Sequence, residues 1–128
     1  MTAWIKVWRD GFAPGISTEG LQRLRTALAE DALDLRQGCT TVPPPLMTVQ
    51  DWPVEACCPM AYTGWTKGDT VGQVEEYFLR LCTEAGVRVG EESGARYLLC
   101  WIDDTPRDVM RAELLAEVDR ALEGRASF

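Results

Sequence analysis

The chain has no histidine among its 128 residues. This removes the commonest general base, the usual partner of a Ser or Cys nucleophile and the commonest transition-metal ligand. Serine triads, His-dependent thiol proteases and most zinc hydrolase sites are excluded. Catalysis without histidine is left with carboxylates, Lys, Tyr, Cys or a bound cofactor. Positive charge is also scarce: 13 Lys and Arg face 20 Asp and Glu, a net charge of −7. Without clustered Lys or Arg to displace counterions, neither nucleic acid nor an acidic membrane surface is an expected partner.

Long apolar runs are missing as well. No stretch approaches the roughly 18–20 residues of a membrane span. The start, MTAWIKVWRDG, lacks the apolar run and cleavage site of a signal peptide. These features predict a cytoplasmic chain with reduced thiols. Cys39, Cys57, Cys58, Cys82 and Cys100 are odd in number and form no CxxC pair, which disfavours a disulfide framework, a dithiol redox centre and a paired-cysteine zinc site. No phosphate-loop glycine spacing occurs. No cofactor and no metal are expected.

The most informative feature that is present is the segment 38–69, GCTTVPPPLMTVQDWPVEACCPMAYTGWTKGD. It holds five of the seven prolines, two of the five tryptophans and three of the five cysteines. Connections this long within a compact domain are functional or disordered. Trp52, Tyr62, Trp65, Leu46, Met47 and Val49, with little charge, are the opposite of a disordered composition. The segment is expected to be an ordered, buried to half-buried insertion in a single domain spanning 1–128.

Around it, hydrophobic periodicity suggests an α+β fold. Residues 2–8, TAWIKVW, alternate and read as a strand, with Trp4, Lys6 and Trp8 on one half-exposed face. A helix over about 18–30 is capped by Ser17 or Thr18 and shows Leu21, Leu24 and Leu28 at helical spacing, with Leu33 and Leu35 able to extend it to Gly38. Val42 to Pro45 reads as extended. Short strands over 46–50 and 60–65 bracket a helical turn that Asp51 opens and Pro59 closes. A second helix starts at a Thr70–Gln73 capping box and runs to Gly86, followed by a polar connection over 87–94. The run 95–102, ARYLLCWI, is apolar on both faces and reads as a central strand. A third helix, with Thr105 as cap and Pro106 at its first position, runs to about Leu122 and leaves Ser127-Phe128 as a tail. This order predicts a small mixed sheet with about three helices. With both middle strands it becomes the split-βαβ, ferredoxin-like arrangement with an extra C-terminal helix.

Three groups of residues stand out as site candidates. Cys57-Cys58 are either reactive thiols or small packing residues beside Pro59. Asp103-Asp104 either end the best strand as a ligand site or serve the start of the next helix. Trp4, Trp8, Trp52, Tyr62 and Trp65 either fill the core or form a binding surface. The expected function is a non-enzymatic interaction domain that binds a protein partner or forms a homo-oligomer through the 42–65 segment and the Trp4/Trp8 face. The alternative is a pocket under the same segment, built by Cys57, Cys58, Tyr62, Asp103 and Asp104.

Overall fold

A computed structural model describes residues 2–126. The fold is essentially all-α. Helix α1 (Ala3–Val7) passes into a π turn over Trp8–Phe12 and a 3₁₀ turn over Ala13–Gly15. It is followed by α2 (Thr18–Glu30), α3 (Pro59–Tyr62), α4 (Val71–Val89), α5 (Ala95–Asp104) and α6 (Arg107–Ala126). Among the described residues the sheet is a single antiparallel pair, β1 (Thr41–Val42) against β2 (Ala56–Cys57), in register Thr41 to Cys57 and Val42 to Ala56. No helix among the described residues is long and apolar enough to cross a membrane. The expected tail, Ser127-Phe128, lies outside the described residues.

The expected α+β class and ferredoxin-like order are therefore wrong, and the two main strand assignments fail for the same reason. In TAWIKVW the residues that become buried are Trp4, Val7 and Trp8, continued by Gly11 and Phe12. That spacing follows the period of a helix, not the alternation of Ala3, Ile5 and Val7. In ARYLLCWI, Ala95, Leu98 and Ile102 are buried while Tyr97 and Cys100 are exposed, again at helical spacing. Both runs are apolar on nearly every side, so either period fits them, and packing between them decides. Trp4 of α1 stacks on Trp101 of α5, with ring centroids 3.6 Å apart and planes within 7°.

Helix ends follow local chemistry more closely. Ser17 accepts a hydrogen bond from the Gly20 N–H and caps α2. Helix α2 ends at Asp31 in the left-handed region, φ 51°, so Leu33 and Leu35 do not extend it. Its last carbonyls are covered from α6, where Arg111 donates to the oxygens of Leu28 and Ala29, and Arg107 donates to the oxygen of Ala32 just beyond the helix. Asp31 accepts from Arg107 Nε at 2.7 Å, and the paired guanidinium lowers its carboxyl pKa below the usual range. This clamp lays α6 along α2. The Thr70–Gln73 capping box opens α4 as expected, with both hydrogen bonds formed. The helix runs through Gly86 to Gly90, φ 75°, where Glu91 N–H bonds to Gly86 O and Gly90 N–H to Val87 O, a Schellman ending. Gly86 serves contact rather than termination: a Cβ there would lie 3.0 Å from the carbonyl oxygens of Glu91 and Glu92.

The central segment is hydrogen-bonded to the body of the domain, and its two halves differ. The inner half, from Val54 to Trp65, is part of the core: Val54, Ala56, Cys57, Cys58, Met60, Ala61 and Trp65 are all buried. Residues 60–65 are not a strand. Pro59 opens α3 instead of closing a turn, and Cys58 caps it, with Sγ accepting from the Ala61 N–H at 3.5 Å. The outer half projects as a tip. Pro44 to Thr48 and Asp51 to Pro53 are exposed, and Met47–Val49 form a 3₁₀ turn where a strand was expected. Backbone bonds hold the tip to the start of α4: Val71 N–H to Trp52 O, Gly72 N–H to Gln50 O and Val54 N–H to Asp69 O.

Candidate functional site

The aromatic candidates separate into core and surface. Trp8 is 1% exposed, and its indole N–H points at Glu117 O, 3.4 Å away. Trp4 is buried in its stack with Trp101, so the expected half-exposed Trp4/Trp8 face is a core face, and only Lys6 of that trio is open to solvent. Trp65 is buried too, edge-on to Tyr62 at 5.5 Å and 81°. Trp52 is the exception at 56% exposed. On the same tip Leu46 is 59% and Met47 93% exposed.

Leu46 and Met47 were expected to help bury the segment. Only their neighbour Val49 does so. The signal that marks them in the sequence is Pro43-Pro44-Pro45, a rigid lead-in that carries the next residues away from the core. Two apolar residues directly after such a spacer, with no periodic partner, have no local reason to turn inward.

Cys57 and Cys58 sit inside the core. Cys57 is fully buried, and burial, reinforced by Cys58, pushes its pKa far above the usual thiol range. Burial pushes Cys58 up to about 12 and the half-buried Cys82 likewise to about 12. A thiol held neutral is a poor nucleophile. Tyr62 is half-buried. Its hydroxyl donates to Asp34 Oδ1 at 3.0 Å, and burial together with that carboxylate raises its pKa.

Asp103 and Asp104 end helix α5 rather than a strand, so neither sits at a sheet edge. Asp103 Oδ1 accepts from the Gly38 N–H at 2.9 Å, tying the start of the insertion to α5. Gln37 completes that joint by donating to the oxygens of Ile102 and Thr105. Asp104 is exposed. The acidic residue in the first turn of α6 is Asp108.

The five polar candidates do not converge. Cys58 and Asp103 line one small cleft of about 260 Å³ with Phe78 and Leu99. Tyr62 lines a different, open cleft beside Arg23 of α2. Among the described residues, no group of three or more Cys, Asp or Glu is placed to hold a metal ion. Leu46, Met47 and Trp52 are all exposed within one seven-residue stretch of the tip, with Asp51 and Glu55 beside them in sequence. Gln50, under the tip, donates to Leu46 O and reaches Glu75 of α4. Comparison with known proteins returns no match to a family model, to a curated protein or to a solved structure.

Proposed function

We propose that this chain is a non-enzymatic protein-interaction domain whose contact surface is the 44–53 tip, with Trp52 as its anchor. One observation carries the reading: Leu46, Met47 and Trp52 are solvent-exposed together on a segment that is hydrogen-bonded to the body of the domain. Isolated exposed apolar residues need no explanation, but a group of large ones on a protruding, held segment marks an interaction site. Trp is enriched among residues that dominate binding energy, and a pre-ordered loop loses little entropy on docking. Trp65, Trp4 and Trp8 are not part of this surface, because they are buried. The pocket alternative lacks comparable support, since only Cys58 and Asp103 of its groups share a cleft and Tyr62 lines another.

The experiment is quantitative co-purification from native extract with wild type, Trp52→Ser and Met47→Ser. A partner retained by wild type and lost from both variants, at unchanged thermal stability, supports the tip. Equal recovery by all three proteins refutes it.

A further inference from the structure

We propose that the occupant of the 44–53 tip is a different protein presenting an apolar groove with a basic rim, and not a second copy of this chain. The inference rests on the interaction reading above and adds the chemistry of the partner.

The argument is one of charge around the apolar anchors. From Gln37 to Thr66 the chain contains no Lys or Arg, while Asp51 and Glu55 flank Trp52 and both are exposed. The backbone that the tip bonds to adds further acids. Val54 N–H binds the carbonyl of Asp69, Gln50 reaches Glu75 Oε2 at 3.4 Å, and the exposed Glu76 follows on α4. Lys67 is the one basic residue in this stretch before Arg80. The tip and the stretch it bonds to thus carry the apolar anchors with five acids, Asp51, Glu55, Asp69, Glu75 and Glu76, against one base, Lys67.

A self-complementary contact with two-fold symmetry puts the same patch against itself. Here it would bring Asp51 and Glu55 of each copy towards their counterparts, and opposed like charges disfavour such pairing. A groove lined by aliphatic or aromatic side chains and edged by Lys or Arg satisfies both parts of the surface. Rim charges chiefly set encounter rate and salt sensitivity, while the buried anchors set residence time.

The test pans a random-peptide phage library against the full-length chain, then measures selected peptides by fluorescence anisotropy. Targets are wild type, Trp52→Ser, and the near-isosteric pair Asp51→Asn with Glu55→Gln. Sedimentation equilibrium of the wild type runs alongside. The expected result is peptides combining apolar anchors with Lys or Arg, lost on Trp52→Ser and weakened on Asp51→Asn/Glu55→Gln. Their affinity should fall about tenfold between about 50 and about 500 mM salt, as exposed charges become screened, and the wild type should stay monomeric. Selected peptides without basic residues, with salt-insensitive binding, overturn the basic partner and leave the interaction reading standing. A dimer abolished by Trp52→Ser does the same in favour of self-association. Peptides that bind Trp52→Ser as well as wild type, or no selected binder at all, overturn both.

Discussion

Trp4 and Trp101 lie face to face, 3.6 Å between ring centroids, and this contact joins the first helix to the fifth across 97 residues of chain. The parallel arrangement is not the one that ring quadrupoles favour, so its worth lies in excluded water and close contact rather than ring electrostatics. It also explains how two short, weakly helical runs are held as helices: each is the other's apolar wall.

Removing either ring should therefore cost stability. Trp4→Ala should destabilise by about 3–5 kcal/mol, the range for large buried aromatics. Trp101→Ala should cost less, because Trp101 is only partly buried. A double-mutant cycle read by urea denaturation should give a coupling of about 0.5–3 kcal/mol, the range for residues in direct contact. Purely additive losses would mean that the two rings act separately.

Glu117 should make stability depend on pH. It lies on the buried side of α6, and Arg9 meets it with two hydrogen bonds, Nε to Oε1 at 2.8 Å and Nη2 to Oε2 at 2.9 Å. The guanidinium holds the Glu117 carboxyl below the usual range. A lowered carboxyl pKa adds stability that is present above the unfolded-state value and lost as pH falls through the folded one. Melting curves from pH 7 to pH 3 should show Glu117→Gln below wild type at neutral pH, with the two converging in acid. A constant gap across that range would rule out the ion pair as its source.

Thiol reactivity should separate the five cysteines. Cys100 is exposed, whereas Cys57 and Cys58 are buried and held neutral. With an aromatic disulfide reagent at pH 8, Cys100 should react first. Cys57 and Cys58 should react only at the rate of unfolding, so urea should accelerate them and mild alkali should not. Rapid labelling of Cys58 in the native protein would reopen a reactive role for it. Cys58→Ser should stay within about 1 kcal/mol of wild type, since serine also caps a helix start.

Gly20 should resist substitution. A Cβ there would sit 2.5 Å from the carbonyl oxygen of Thr63, where α2 passes the end of α3. That oxygen already accepts from Arg23 Nη2 at 2.7 Å and is backbone, so it has little room to yield. Gly20→Ala should cost about 1–3 kcal/mol despite the better helix propensity of alanine. A neutral or stabilising result in thermal denaturation would show that α2 and α3 can move apart freely.

Much of the local structure was legible. Ser17, the Thr70–Gln73 box and the span of α2 follow from side chains that satisfy the orphan N–H groups of a helix start, a matter of a few neighbouring residues. Gly86 was misleading because a glycine chosen for close approach looks the same in sequence as one chosen to end a helix. The candidate site was partly legible. Trp52 is exposed, but Trp4, Trp8 and Trp65 are core, and Leu46 and Met47 stand outside it.

The sequence by itself determined where α2, α4 and α6 begin, that the proline- and tryptophan-rich segment has the composition of ordered chain, and that histidine chemistry is absent. Those properties depend on residue type and on neighbours within a turn. Tertiary structure alone decided that TAWIKVW and ARYLLCWI are helices and which tryptophan faces solvent. An apolar side chain carries no address: it is buried against whichever surface the rest of the chain brings to it, and here Trp4 and Trp101 found each other while Trp52 was left outside.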